Sequence, residues 1–256
     1  MAFNCWQMGL HIQQDNIFIV ALQRARIGWS LRRWWQLPLA SPDDEALLAA
    51  LTPWRRELPW QHALSIAFPA NRTLQKSLPR AAISLRESEQ NQWIASAMSQ
   101  QLDMPAEALC FDYHLAEPQG CWNVTAAQQR DVARLQNLAR RLRLQVTAIT
   151  PDACALRAFL PLQAEPDSVL LWRNDGQWLW ASRDNWGCCA LSEVASPTLL
   201  SERLGIATSR LVCCAAEDEH PHFDPWSAVA QKQPPLPACG DAFAVAIGLA
   251  MEAARR

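Results

Sequence analysis

The sequence is poor in lysine and lacks any long run of basic residues. Lys76 and Lys232 are its only lysines, its arginines are scattered, and the formal net charge is −2. A charge balance of this kind does not favour a protein whose main partner is a nucleic acid or an anionic membrane. The composition therefore argues against a dedicated polyanion-binding protein.

Long apolar runs and a secretory leader are also missing. No segment reaches the roughly 18 consecutive apolar residues of a membrane-spanning helix. The start, Met1 to Leu10, has no basic residue and is interrupted by Asn4 and Gln7. The nine cysteines lack the spacing of a disulfide framework. Adjacent pairs such as Cys188-Cys189 are poorly placed to bind one metal ion together, because neighbours on a strand point to opposite faces. We expect a cytoplasmic globular protein with reduced thiols and no metal.

Apolar residues, and tryptophan above all, are what the chain has in quantity. Half of its 256 residues are hydrophobic, and 13 are tryptophan against a single tyrosine. Most tryptophans should pack in a core of the size that this length allows. Trp54 and Trp60, set among prolines in TPWRRELPW, are the better candidates for an interface.

Strand, turn and cap signals occur twice along the chain in the same order. The first copy is predicted as strands Phe3 to Ile12, Ile17 to Leu22 and Ile27 to Leu37, helix Glu45 to Arg55, strand Ala63 to Phe68, and later strand Leu144 to Ile149 and a helix from Thr150 to Leu160. The second is predicted as strands Ser168 to Trp172, Gln177 to Ser182 and Trp186 to Leu191, helix Pro197 to Leu204, strand Arg210 to Cys214 and helix Asp241 to Ala254.

Additional elements interrupt only the first copy. A capping box of Ser84 and Glu87 predicts the start of a helix that runs to Leu102. The other predicted elements are strands Thr73 to Leu78, Leu109 to Leu115 and Cys121 to Ala126, followed by a helix Gln128 to Leu142. We interpret the stretch from Phe68 to Ala126 as a small inserted subdomain, and the helix that follows it as part of the first lobe.

The duplicated order predicts an α/β fold with two facing βββαβα lobes, because neither a Rossmann nor a barrel order fits it. The predicted domains are residues 1–67 plus 127–160 for the first lobe, 68–126 for the inserted α/β subdomain, and 161–256 for the second lobe. Within the last, residues 217–238 are rich in proline and charge and are predicted as a surface excursion.

Three long segments resemble PilM-like proteins of type IV pilus assembly, a family with the actin-like (ribonuclease H-like) fold. Ala63 to Tyr113 has the family's order of a strand ending in proline, a second strand, a polar helix and a strand ending in acid plus aromatic. Asn123 to Phe159 resembles the following strand, helix, strand and connecting helix, and Asp241 to Arg256 resembles the C-terminal helix. The resemblance extends over nearly the whole chain.

This resemblance implies a scaffold function. PilM-like proteins lie at the cytoplasmic face of the inner membrane, where they receive the N-terminal cytoplasmic tail of a PilN-like membrane protein. The expected partner here is therefore PilN or its relative HofN, within a pilus-like complex. Some members of the family are connected with DNA uptake and utilization.

Nucleotide-binding relatives carry two aspartate-containing hairpins that face each other across a cleft. In the first matching hairpin, Gly9 to Gln14, His11 stands where aspartate is expected. Gln13 and Gln14 stand where small residues would let backbone amides approach a phosphate. The chemistry that holds magnesium and phosphate is therefore altered at this hairpin.

The second matching hairpin, Leu171 to Gly176, is altered as well. Trp172 occupies the expected acid position, and Arg173, Asp175 and Gly176 form the turn. Asp152 keeps a carboxylate where some relatives position water, although its place at a helix start is the better explanation. The predicted vestigial nucleotide cleft thus contains His11, Gln13, Gln14, Asp152, Arg173, Asp175 and Gly176.

Without both acids, phosphoryl transfer loses its main charge stabilisation, so no catalytic residue and no resident cofactor is expected. Arg173 or His11 could still neutralise a phosphate, which leaves weak ATP binding open. We expect a non-catalytic adaptor.

Two alternatives stand beside the adaptor. One is an active actin-like ATPase or kinase that drives pilus assembly. The other is direct DNA binding through two arginine clusters, Arg24, Arg26, Arg32 and Arg33, or Arg134, Arg140, Arg141 and Arg143.

Overall fold

The computed structural model describes residues 5–81, 85–116, 120–174, 176–214 and 221–252. They form two compact units. The second unit is Asn71–Asn137, and the first contains the rest of the described chain, up to Ala70 and from Leu138. The expected bounds of the three domains, with a division at residue 160, stay predictions.

The elements follow the predicted order. The strands of the described residues are β1 Trp6–Ile12, β2 Asn16–Ala25, β3 Gly28–Pro38, β4 His62–Phe68, β5 Thr73–Pro79, β6 Leu109–Ala116, β7 Cys121–Gln128, β8 Val146–Pro151, β9 Val169–Arg173, β10 Gln177–Ala181, β11 Trp186–Ala190 and β12 Leu211–Cys213. The helices are α1 Asp44–Arg55, α2 Glu87–Leu102, α3 Gln129–Arg141, α4 Asp152–Ala155, α5 Pro197–Leu204 and α6 Ala244–Glu252.

The two sheets of the first unit repeat one topology. Their strand orders are β3-β2-β1-β4-β8 and β11-β10-β9-β12. In each sheet, three consecutive antiparallel strands are followed by a helix and by a strand that lies parallel to the first, β4 beside β1 and β12 beside β9. The predicted duplication is confirmed.

Helix starts in both copies follow the expected capping chemistry. Asp43 Oδ1 accepts hydrogen bonds from the amides of Glu45 and Ala46, at 3.0 and 2.8 Å, before α1. Ser196 does the same for Leu199 before α5. Helix α5 ends at Gly205, whose φ of 65° suits a residue without Cβ. Local sequence therefore sets these boundaries.

Helix α6 is buried along its length and packs against β1 on one side and α4 on another. Two glycines allow this close approach. A Cβ on Gly9 of β1 would lie 2.0 Å from the carbonyl oxygen of Ala246, and a Cβ on Gly248 would lie 2.2 Å from that of Ala155. The core of the first unit thus contains backbone-to-backbone packing that any larger residue would disrupt.

The second unit is a three-stranded antiparallel sheet, in the order β5-β7-β6, with α2 on one face. Ile94 and Met98 of α2 are buried against Leu78, Leu109 and other apolar residues of that face. Strand β5 lies at one edge of the sheet. This arrangement agrees with the predicted small α/β fold of the insertion.

The predicted capping box before α2 is wrong. Ser84 lies outside the described residues, and Glu87 is the first residue of the helix rather than its third. The carboxylate of Glu89 instead accepts a hydrogen bond from the amide of Arg86, at 2.8 Å. Since Arg86 stands three residues before Glu89, the helix starts two residues later than the Ser84 spacing predicts.

Residues 221–238, which we call the strap, form backbone hydrogen bonds with an edge strand of each sheet of the first unit. Beside edge strand β12, Phe223 donates to the carbonyl of Cys213 at 2.9 Å. Beside edge strand β3, Gln231 exchanges hydrogen bonds with Trp29 and Leu31, at 3.1 and 2.8 Å. Most residues of the strap are exposed, whereas Pro225, Trp226 and Val229 are buried. The expected surface excursion over residues 217–238 stays a prediction.

Two predicted helices are shorter than expected. The one after β8 ends as α4 and continues as a 3₁₀-helix, Leu156–Leu162, which contains Pro161. The last helix is preceded by a 3₁₀-turn, Gly240–Phe243. None of the described helices combines the length and apolar character needed to cross a bilayer.

Candidate functional site

The two residues that replace the expected aspartates lie against each other. The rings of His11, on β1, and Trp172, on β9, have centroids 5.5 Å apart and meet edge to face at 64°. Both side chains are buried, with exposed fractions of 3% and 2%. The structure therefore places ring packing where the resemblance predicts paired carboxylates.

Burial also removes charge from this position. The pKa of His11 is lowered to about 3, because desolvation disfavours the imidazolium. The Gln13 side-chain amide lies 3.4 Å from His11 Nδ1 and can donate to it. The Trp172 indole N–H donates to the carbonyl of Asp241 at 2.8 Å. At neutral pH both rings are uncharged, and each is hydrogen-bonded to a different residue. The pair therefore offers neither a negatively charged ligand for Mg²⁺ nor a cation for phosphate.

The other residues of the first hairpin form its turn. The Gln13 amide donates to the carbonyl of Asn16 at 2.9 Å, which closes the connection between β1 and β2. Gln14 is exposed in the bend that follows. The structure thus brings Gln13 to His11 and leaves Gln14 at the surface.

Asp152 is buried at the start of α4. Its Oδ1 accepts hydrogen bonds from the amides of Ala70 and Ala153, at 2.9 and 2.8 Å. Burial raises the pKa of this carboxyl to about 7, against the opposing effect of those amides. The pKa of Cys188 on β11 is raised to about 11, chiefly by burial and then by the nearby Asp152 charge. The contacts of Asp152 match the structural interpretation, in which it holds the helix start.

The turn of the second hairpin is a polar surface feature. Arg173 ends β9, and its guanidinium carbon lies 5.5 Å from the centroid of the Trp178 ring. The Gly176 amide donates to Asn174 Oδ1 at 3.0 Å. Asp175 lies outside the described residues. The predicted site residues are therefore divided between a buried ring pair, a buried helix start and an exposed turn.

No group of three histidine, cysteine, aspartate or glutamate side chains in the described ranges is arranged to hold a metal ion. The predicted basic clusters also differ from each other. Arg33 pairs with Glu57 at 2.8 Å, and Arg24 lies over the Trp29 ring at 5.0 Å. Arg140, Arg141 and Arg143 are exposed.

A groove of about 380 Å³ lies in the second unit, where β5 and β6 begin and β7 ends. Leu74, Met104, Leu109 and Ala126 form its apolar floor. Leu74 points to the face that α2 covers, as Leu78 does, yet 46% of it is exposed, whereas Leu78 is buried. The apolar face of this sheet is therefore incompletely covered at the edge strand.

Charged side chains rim the groove. The Asp131 carboxylate lies 3.7 Å from a guanidinium nitrogen of Arg72 and 3.9 Å from one of Arg130. Two arginines against one aspartate leave a surplus of positive charge beside the apolar floor. Of the eleven residues that line the groove, six are polar or charged and five are apolar, so the groove offers both hydrogen-bonding groups and apolar contact to a peptide.

Sequence reasoning did not predict the residues of this groove. They come from five separate segments, and only the alternation in β5 gives a local signal. Leu74 shares a face with Leu78, but the charged Lys76 lies between them on that face and weakens the signal. Its exposure depends on where α2 ends, which no local pattern specifies.

Comparison with known proteins identifies the family. The chain is 44% identical over 259 residues to the DNA utilization protein HofM of Escherichia coli (strain K12), and the alignment covers 98% of each protein. The chain belongs to the HofM family. A comparison with protein-family models finds no match. The predicted family is therefore confirmed.

Solved structures give the fold of this HofM relative. The PilM-PilN type IV pilus biogenesis complex contains a chain that matches with a TM-score of 0.70 and 15% identity, over 96% of this chain and 98% of that one. The cytoplasmic domain of EpsL, an inner-membrane component of the type II secretion system of Vibrio cholerae, matches with a TM-score of 0.63 and 11% identity, over 97% and 94%. The actin-like α/β fold predicted for the chain is thus confirmed.

Proposed function

We propose that this HofM relative is a non-catalytic adaptor of a pilus-like assembly connected with DNA uptake and utilization. Its partner is the N-terminal cytoplasmic tail of a PilN-like inner-membrane protein, HofN in this family. The fold is that of a protein solved in a PilM-PilN complex, and the relationship to HofM covers 98% of the chain. Through this partner, the protein would be held at the cytoplasmic face of the inner membrane.

The contact of His11 with Trp172 supports the absence of catalysis. Phosphoryl transfer on nucleotide-binding folds depends on carboxylates that hold Mg²⁺ beside the phosphates. At the corresponding positions this chain has two buried, neutral rings. The strap pairs with an edge of each sheet of the first unit, which opposes the movement of those sheets that nucleotide binding and release would need.

The groove of the second unit is the observation that carries the binding proposal. Strand β5 lies at the edge of its sheet, and an extended peptide can add to such an edge while its side chains enter a neighbouring pocket. Leu74 and Met104 offer apolar contact to the peptide. Arg72 and Arg130 are placed to pair with an acidic residue beside it.

Calorimetric titration of the full chain with a synthetic HofN tail from the same organism tests the proposal. We expect binding with a micromolar dissociation constant and at least a tenfold loss in Leu74→Gln. Leu199→Gln is the matched control, because Leu199 on α5 is equally exposed, at 45%, but lies in the first unit. Absence of heat at high micromolar concentration, or an equal loss in the control, would contradict the proposed site.

A turnover assay with radiolabelled ATP and magnesium tests the non-catalytic part separately. We expect no hydrolysis above the rate of a blank. Hydrolysis that disappears in Asp152→Ala would favour an active ATPase instead, since Asp152 is the carboxylate retained at the predicted cleft.

A further inference from the structure

A second surface feature lies at the opposite end of the first sheet from His11. The loop between α1 and β4 carries Trp60, whose side chain is 85% exposed. Trp54, which the sequence also marks as an interface candidate, is instead buried and packs edge to face on Trp35, with ring centroids 6.1 Å apart. Of the two tryptophans, only Trp60 is available to a partner.

Hydrogen bonds hold this loop against the segment that connects α3 to β8. The carbonyl of Trp60 accepts from the Gln145 side chain at 3.5 Å, and His62 accepts from the Gln145 amide at 3.2 Å. Arg55 donates to the carbonyls of Leu142 and Arg143, at 3.1 and 3.3 Å. Both segments belong to the first unit, so their arrangement is fixed within one compact body.

This arrangement places the loop of Trp60 beside a segment that carries exposed arginines. We define the Trp60 patch as Trp60 with the exposed side chains of Arg56, Arg140, Arg141 and Arg143. None of these four guanidinium groups forms an ion pair with another described residue. The nearby acid Glu57 is engaged by Arg33 at 2.8 Å and by the Trp35 indole at 3.1 Å. The patch therefore carries a local positive charge that the net charge of −2 does not reveal.

We infer that the Trp60 patch binds the surface of an anionic lipid bilayer. An indole favours the interface between headgroups and acyl chains, where its ring is desolvated and its N–H stays in a polar region. Arginines beside it pair with lipid phosphates, and each contributes about fivefold to partitioning onto anionic membranes. A single exposed indole on a loop that neighbours exposed arginines suits a planar surface, whereas single-stranded nucleic acid is bound along a track of several stacking aromatics.

The patch is independent of the groove that we propose for the HofN tail. Direct contact with lipid would add a second attachment to the one made through the membrane partner, and two weak attachments together hold a peripheral protein far longer than either alone. The inference requires no tail peptide, so it is tested on the full chain alone.

Co-sedimentation with extruded vesicles is the test. We expect the full chain to sediment with phosphatidylcholine vesicles that contain 30 mol% phosphatidylglycerol in a low-salt buffer, and to be released as salt is raised. Trp60→Ala should lower the partition coefficient several-fold, and Arg140→Gln with Arg141→Gln should lower it about 25-fold, from about fivefold for each charge.

Matched control variants distinguish vesicle binding through the Trp60 patch from non-specific adsorption. Ile27→Ala removes another exposed apolar side chain, and Arg203→Gln removes an arginine that pairs with Glu193 at 2.6 Å. Both should sediment as the unchanged protein does. Equal binding to pure phosphatidylcholine, no sedimentation, or equal losses in the controls would overturn the inference. So would Trp60-dependent binding of a single-stranded oligonucleotide or Trp60-dependent self-association in place of vesicle binding.

Discussion

The predicted nucleotide cleft and the groove of the second unit differ in how far their side chains are buried. At the cleft, Trp172 and a neutral His11 are buried against each other. At the groove, Leu74 is almost half exposed beside the charges of Arg72, Arg130 and Asp131. A filled interior is stable without a ligand. Exposed apolar surface, in contrast, is stabilised when a partner covers it.

Substitutions around the cleft should therefore change the stability of the protein, because they alter a filled interior. Substitutions at the groove should change binding with little effect on stability, because Leu74 is already partly exposed.

The largest effect is expected at Gly9, beneath the cleft. In Gly9→Ala the new Cβ would meet the carbonyl of Ala246 at 2.0 Å, so α6 must move away from β1. We expect a loss of at least about 3 kcal/mol in the free energy of unfolding, measured by urea titration. Gly176→Ala is the control, because its surroundings are open and its change should stay within about 0.5 kcal/mol. A loss below about 1 kcal/mol for Gly9→Ala would show that the packing of α6 on β1 is loose.

Restoring an acid at the cleft is expected to have the next largest effect. His11→Asp places a carboxylate against the Trp172 ring in a buried position, so the protein should lose about 2–4 kcal/mol at pH 8. His11→Asn has a similar shape without the charge and should lose less. Thermal denaturation with and without Mg-ATP measures both variants. A higher melting temperature of His11→Asp in the presence of Mg-ATP would contradict the description of the cleft as a filled interior, since it would show that nucleotide can still bind there.

Asp152 should give a smaller, pH-dependent effect. Its folded-state pKa of about 7 lies above the ordinary value of 3.8, so between these values the folded protein holds a proton that the unfolded chain has lost. Stability from this group is therefore present in acid and falls as the pH rises towards 7. Asp152→Asn lacks this titration, so its free energy of unfolding should rise by about 3 kcal/mol relative to that of the unchanged protein between pH 4.5 and 8.

Denaturant titrations of both proteins across that pH range give the comparison. His11 is common to both, so its opposite contribution cancels; its lowered pKa costs stability as the pH falls below 6.5. Parallel stability curves for the two proteins would contradict the assigned burial of the Asp152 charge.

The sequence predicts the duplicated topology because that information is local. Strand alternation, turn residues and caps such as Asp43 act within a few residues. The replacement of acids by His11 and Trp172 could be identified from the family resemblance. Their contact could not, since it joins strands about 160 residues apart and depends on how the elements between them pack.

The misplaced cap and the strap show what local patterns leave out. Ser84 and Glu87 have the spacing of a capping box, but Glu89 and the Arg86 amide provide the contact two residues later. The prolines of residues 217–238 favour a loop, and most of the described part is exposed, but the pairing of Gln231 with β3 uses a neighbouring sheet edge that the segment itself does not encode. Tertiary partners decide such contacts.

The smallest effect is expected at Leu74. Leu74→Ser removes a side chain that is already 46% exposed, so the free energy of unfolding should fall by less than about 1 kcal/mol. Leu78→Ser, on the same face of the same strand, empties a buried position and should cost about 3 kcal/mol. The pair is compared by urea titration of the full chain. Equal losses would mean that Leu74 belongs to the core of the second unit, and the groove would then be a packing feature rather than a surface kept open for a peptide.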